Sequence, residues 1–142
     1  MMDKEPTDIP KEKIKSGGYK VENVFLLEST FSREINFDAK NGEILNEINI
    51  DSQVHESSAE GKFGVTFELD FKGKQAGNEV CNAKIIMLGI FEKHGEPPLP
   101  EGDFKKTNAP AIIYPFIREH LHNICLKAGI ANVLLPTVNF KP

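Results

Sequence analysis

The sequence predicts an α+β domain: a four-stranded antiparallel sheet followed by one long helix. Between Lys62 and Lys72, the residues Phe63, Val65, Phe67, Leu69 and Phe71 alternate without a break against Gly64, Thr66, Glu68 and Asp70. That two-residue period belongs to a strand with one dry and one wet face. Further on, Ile113, Phe116, Ile117, Leu121, Ile124 and Ala128 recur at three- and four-residue steps, the apolar stripe of an amphipathic helix. The strand signals all precede the helix signal, which is the segregated order of an α+β chain.

Residues 1–18 mix lysine and glutamate with Pro6 and Pro10 and end in Gly17-Gly18. They offer too little apolar area to offset ordering, so a flexible tail is expected, with the domain proper at 19–142. From Tyr19 to Phe37 the pattern is extended. Phe25, Leu27, Ser29 and Phe31 are expected on one face, with Ile35 and Phe37 continuing the alternation. Asn41-Gly42 marks a turn. The second strand, Glu47–His55, sets Ile48, Ile50, Ser52 and Val54 against Glu47, Asn49, Asp51 and Gln53. A polar loop at 57–61 leads into the third strand, and residues 73–78 supply a turn to a fourth, Glu79–Phe91. From Ile85 onward that fourth strand is apolar on both faces. One helix covers one face only, so Ile86, Leu88 and Ile90 need another cover, and a partner subunit is the simplest.

Residues 95–100, rich in proline, predict a stiff connection to the helix. Asn108 has the side chain of an N-cap, and Pro110 suits a first turn. Pro115 cannot donate to the carbonyl four residues back, so the helix either begins near it or kinks there. Gly129 follows Lys127-Ala128 as a C-cap should. The run Ile130–Val138 is apolar, short and broken by Pro136, a segment that must dock on something.

The chain has 142 residues, a formal charge of −4 and no block of lysine or arginine. Phosphate binding shows itself as clustered positive charge, so nucleic acid is a poor first partner. No run approaches the roughly 18–20 apolar residues needed to span a bilayer, so no stable membrane insertion is expected. The N-terminus lacks the apolar centre of a secretory signal, and a cytoplasmic location follows. Two cysteines in that setting read as buried thiols rather than a disulfide.

The residues argue against catalysis. His120 and His122 are two apart and leave a helix on different sides, whereas a helical metal pair needs three or four. His55 and His94 have no cysteine or paired carboxylates near them in sequence. Cys125 has His122 three residues before it but nothing to orient that ring, and Ile124 and Leu126 flank it as they would a core thiol. Dinucleotide, phosphate-loop, zinc-protease and nucleophile-elbow motifs do not occur. No metal site and no cofactor are expected.

Three stretches resemble the SecB family of protein-export chaperones. They are Ile113-Tyr114-Pro115-Phe116-Ile117-Arg118-Glu119, Leu134-Leu135-Pro136-Thr137-Val138-Asn139-Phe140 and Gly89-Ile90-Phe91. The similarity covers about Tyr19 to Phe140. It implies a dimer of dimers, a homotetramer with helices sandwiched between sheets. It also implies an ATP-independent holdase that keeps unfolded or precursor polypeptides in a long apolar groove for export. By position, the resemblance assigns Ile44, Ile48, Ile50, Cys81 and Phe116 to that client-binding groove. Cys81 and Ile44 stand where aromatics are common, and the same residue types equally serve ordinary core packing. Glu34 and Asp38 fall where the family places acidic residues that dock the translocation ATPase SecA, or equally on a solvated strand edge. Two departures bear on that partner. Lys84 reverses an acidic position, and the chain stops at Lys141-Pro142, where typical members continue into a second helix and a SecA-binding acidic tail. SecB-like proteins also serve as dedicated chaperones of an antitoxin, so SecA and an antitoxin both stand as candidate partners. A reading of another class, a small-ligand-binding or scaffold α+β domain, stays open.

Overall fold

The computed structural model describes residues 17–37 and 43–130. Strands β1 (Gly18–Arg33), β2 (Leu45–Glu56), β3 (Lys62–Gln75) and β4 (Asn78–His94) form one antiparallel sheet in the order β1-β4-β3-β2. The chain therefore crosses from one edge of the sheet to the other between β1 and β2. Past the proline-rich connection, a short helical turn α1 (Glu101–Asp103) runs through a π-helical turn (Phe104–Asn108) into helix α2 (Ala109–Lys127). This is the α+β order the sequence predicts.

The core lies between α2 and the centre of the sheet. Phe63, Val65, Phe67, Leu69 and Phe71 of β3 are all buried, and their partners Phe91, Met87, Ile85 and Ala83 of β4 line up beside them. Helix α2 presses Ile113, Tyr114, Ile117, Leu121 and Cys125 onto that surface. Between β3 and β4, Ala76-Gly77 turns with φ of 51° and 82°, the paired left-handed geometry of a two-residue hairpin.

Strand β1 departs from the simple alternation. Its pairing with β4 slips by one residue between Val21 and Asn23 and again between Leu26 and Glu28. Each bulge changes the phase of the faces that follow. Phe31 pairs with buried Ala83 and Ser29 with Ile85, on the helix-covered face, but Phe25 pairs with Leu88 and lies on the open face. Phe25 and Phe31 thus do not share a side. The strand also ends earlier than expected, at Arg33, and Ile35 in the turn beyond is 88% exposed.

The helix starts earlier than expected. Asn108 is already helical and makes no side-chain cap. The coil begins after Pro100 because Phe104 is drawn into an aromatic cluster, stacked on Tyr19 at 4.0 Å and edge-on to Phe63 and Phe91. The extra residue of the π turn sets the phase between that cluster and the stripe of α2. Pro115 lies inside the helix rather than at its start. The buried stripe is Ile113, Tyr114, Ile117, Leu121 and Cys125, which leaves Phe116 half-exposed.

The C-terminus of α2 does follow the expectation. Gly129 has φ 79°, its N–H donates to Leu126 O at 3.0 Å, and the Ile130 N–H donates to Cys125 O at 2.8 Å. These are the two bonds of a Schellman cap, and buried Ile130 supplies its apolar contact. Arg33 adds a side-chain bond to the Ala128 carbonyl. The flexible tail expected at 1–18 falls outside the described residues up to 16, while Gly18 already belongs to β1. The Asn41-Gly42 turn and the apolar segment beyond Ile130 also lie outside them.

Candidate functional site

Because α2 sits over β3 and β4, the outer strands leave a flank on each side of it. On the β1 flank, Ser29 Oγ and His120 Nε2 are 2.8 Å apart, and Arg33 reaches the helix end. On the β2 flank, Lys105 bonds Glu56 at 2.9 Å and Glu101 at 2.6 Å, with its ammonium 4.8 Å from the centre of the Phe63 ring. Burial works against the charge of Lys105, but the two glutamates outweigh it and hold its pKa above the ordinary value.

Beyond that bridge the β2 flank is apolar. Strand β2 pairs with β3 residue for residue from Leu45 opposite Lys74 to Glu56 opposite Phe63, with no bulge. Ile48 therefore sits beside Phe71, Ile50 beside Leu69 and Val54 beside Val65, all on the helix-covered face. Ile48 is half-buried, whereas Ile50 and Val54 remain 39% and 40% exposed. Ile44 packs over Gly73, where an added Cβ would meet Ile44 Cγ2 at 3.2 Å and Cys81 Sγ at 2.6 Å. The structure thus brings Ile44, Ile48 and Ile50 to one flank with Cys81 beneath them.

The remaining candidates stand elsewhere. Cys81 is 1% exposed, a floor residue under Gly73 rather than a surface. Phe116 is 50% exposed and lies one helical turn before His120, so it belongs with the β1 flank rather than with the isoleucines. Glu34 continues the ladder past Arg33 through its N–H to Val80 O at 2.8 Å, and alternation turns its exposed side chain toward the open face. Asp38 lies outside the described residues. Val54 was missed as a candidate, although it shares the alternation of Ile48 and Ile50.

The open face divides into two halves. Phe25, Ile86, Leu88 and Ile90 form its apolar half, with a solvent-open hollow of about 420 Å³ lined by Leu27, His55, Gly64, Thr66, Leu88 and Ile90. Beside it the sheet register gathers carboxylates. Asp51 is opposite Glu68, Glu68 is opposite Ile86, and Ile86 is opposite Glu28, while Asp70 lies opposite Lys84 in the next row. Lys84 Nζ is 3.8 Å from Glu28 and 3.9 Å from Glu68. Partial burial raises the Glu68 carboxyl above its usual range, Lys84 opposes the shift, and neighbouring Asp70 and Asp51 add to it. Lys84 therefore does not reverse the local sign, because its ammonium lies between Glu28 and Glu68, with Asp70 and Asp51 adding further negative charge on the same face.

No chemistry of bond making is assembled among the described residues. Cys81 and Cys125 are free and buried. Burial, and then Cys81 nearby, push the Cys125 thiol up to about 11, far from a nucleophilic thiolate. No three His, Cys, Asp or Glu side chains cluster as metal ligands, and no helix is long and apolar enough to cross a membrane, both among the described residues.

Comparison with known proteins agrees with this architecture. The family model described as preprotein translocase subunit SecB matches residues 19–142. The chain belongs to the SecB family. Protein-export protein SecB of Methylococcus capsulatus is 25% identical over 127 residues, covering 84% of this chain and 81% of that protein. The same protein of Thioalkalivibrio sulfidiphilus is 28% identical over 93 residues, 66% of this chain, and the match spans only 55% of the relative's length. In structure, the chain is similar to the Mycobacterium tuberculosis Rv1957 SecB-like chaperone, solved in complex with a ChAD peptide from the Rv1956 HigA1 antitoxin. The TM-score is 0.72 at 17% identity, over 87% of this chain and 92% of that one. SecB family members are chaperones, not enzymes.

Proposed function

We propose that this protein is an ATP-independent holdase that binds unfolded or precursor polypeptides along the β2 flank of α2 for protein export. The observation that carries the reading is the run of half-buried Ile48 and exposed Ile50 and Val54 on a bulge-free outer strand beside a helix. An unfolded chain presents apolar side chains in extended backbone, and this flank offers apolar contact with backbone accessible at the sheet edge. Ile44 and Ile48 line the floor with Cys81, while Phe116 extends the apolar surface over the other side of the helix. As the family resemblance implies, the chain assembles as a cytoplasmic homotetramer, a dimer of dimers. Glu34 and Asp38 belong to an acidic surface on which SecA docks.

A second reading keeps the chaperone and narrows the client to an antitoxin. Similarity in fold to a SecB-like chaperone solved with an antitoxin peptide supports it. Light scattering of a chemically unfolded protein diluted into buffer tests both readings. Stoichiometric amounts of this chain are expected to suppress the scattering, and no suppression sinks both. Capture from lysate then separates many export precursors from one dominant antitoxin.

A further inference from the structure

At the end of the sheet where α2 stops, one row of the ladder runs from edge to edge. Arg33 of β1 is opposite Cys81 of β4, Cys81 is opposite Gly73 of β3, and Gly73 is opposite Asn46 of β2. Ile44 and Cys81 both lie against Gly73, so the isoleucine flank begins in this row. Arg33 stands at the other end of it, half-buried, where β1 leaves the sheet for the crossover to β2.

The side chain of Arg33 is shared among three segments. Nε donates to the Glu34 carbonyl at 3.0 Å, Nη2 to the Phe37 carbonyl at 2.8 Å and Nη1 to the Ala128 carbonyl at the C-cap of α2. The guanidinium also lies 5.1 Å from the centre of the Phe37 ring. Phe37 packs on the core from the start of the crossover, as Ile44 does from its end. A planar fork of N–H groups holds several carbonyls at fixed angles, which an ammonium on a flexible stem does not. The cation also suits a helix C-terminus, where the last carbonyls lack partners within the helix. One residue thus ties the departing crossover to the end of the helix that walls the flank.

We infer that Arg33 is a positioning residue for client binding: by fixing the crossover against the C-cap of α2, it holds Ile44 in place at the end of the flank. The inference rests on the holdase reading and adds a residue that makes no client contact of its own. With the fork removed, Phe37 and Ala128 lose their common tether, and the Ile44 end of the flank is no longer preformed. A bound segment then has to order that end on arrival, and the cost appears as weaker, shorter-lived binding.

The test titrates the full chain with fluorescent, reduced and carboxymethylated α-lactalbumin, which stays unfolded in buffer. Arg33→Met keeps the apolar stem and removes the fork, and Arg33→Lys keeps only the charge. Ile117→Val lowers stability from the core, away from this corner. Both Arg33 variants are expected to bind on the order of tenfold more weakly, through faster dissociation, while Ile117→Val binds as wild type. Ile44→Ala is expected to weaken binding in wild type and to add little in Arg33→Met, because Arg33 acts through Ile44. If Arg33→Met shows no cooperative melt, Arg33→Lys takes its place in that cycle. Wild-type affinity in the Arg33 variants, an equal loss in Ile117→Val at the same fall in Tm, or strict additivity with Ile44→Ala overturns the inference and leaves the holdase standing. No binding by the wild type removes the holdase itself.

Discussion

Gly89 lies beneath Ile113 of α2, and Gly89→Ala tests whether the helix is seated as described. A Cβ at Gly89 would lie 2.8 Å from Phe91 Cε2, 3.0 Å from Ile113 Cδ1 and 3.1 Å from Ile113 Cγ1. Ordinary carbon contacts are about 3.5–4.0 Å, so the added methyl needs its neighbours to yield by roughly half an ångström or more. Phe91 and Ile113 are both 0% exposed and hemmed in by the core. Overpacking of this kind costs about 1–3 kcal/mol. Replacing glycine in a strand recovers up to about 1 kcal/mol through the unfolded chain, so the expected net loss is about 1–2 kcal/mol. For a domain of this size that is a fall of roughly 3–8 °C in Tm, read by calorimetry or circular dichroism. Ile113→Val removes the Cδ1 that the new methyl meets. The double variant is therefore expected to lose less than the two single losses added together. An unchanged Tm in Gly89→Ala, or strict additivity in the pair, would refute this packing of α2 on β4.

Ile50→Ser removes an isoleucine whose remaining exposed surface, about two-fifths of the residue, is free to be covered by a client. Completing that burial is worth roughly 1 kcal/mol, so client affinity should fall about fivefold in a titration, alongside a fall in Tm from the three-fifths of the side chain already packed on the sheet. The Glu101 carboxyl is held below its usual range by its bond to Lys105, against an opposing effect of burial and with help from Lys93. A depressed folded pKa gives stability that is complete above the unfolded value, near 4.5, and lost as pH falls through the folded value. Urea melts between pH 3 and 7 should show a smaller acid-side loss in Glu101→Gln than in wild type. Cys125, with its thiol pushed up to about 11 by burial and by Cys81, should resist a thiol reagent at pH 8 in the folded protein and react promptly in urea. Prompt labelling of the folded chain would contradict its place in the core.

Much of the fold is legible in the residues because each element is dry on one side only. Strand β3 shows its faces directly, since buried Phe67 and Leu69 are separated by Glu68 on the open side. Gly129 marks the helix end because only a left-handed residue closes the Schellman bonds cheaply. Strand β1 misleads because a bulge adds a residue that no composition announces, and Phe25 changes sides with it. The start of the helix is hidden for another reason. Nothing local distinguishes Phe104 from a loop residue until Tyr19, Phe63 and Phe91 are brought around it.

The site was legible only where alternation reaches it. Ile48 and Ile50 follow from the pattern of β2, and Val54 follows from the same pattern. Phe116 has the spacing of a core residue in a long stripe, yet Tyr114 and Cys125 take the buried line instead. The cluster of Asp51, Glu68 and Asp70 depends on register between strands separated by a loop, so no single stretch of sequence contains it. The same holds for Lys84, which opposes the acidic pattern along the chain and is enclosed by Glu28 and Glu68 across it.

The most direct measurement is amide hydrogen exchange of the full chain, alone and holding a chemically unfolded client at stoichiometric ratio. A client along the β2 flank should slow exchange across Leu45–Glu56 and leave the β1 stretch from Phe25 to Thr30 unchanged. A bound client that protects other segments while β2 exchanges as fast as before would contradict the account.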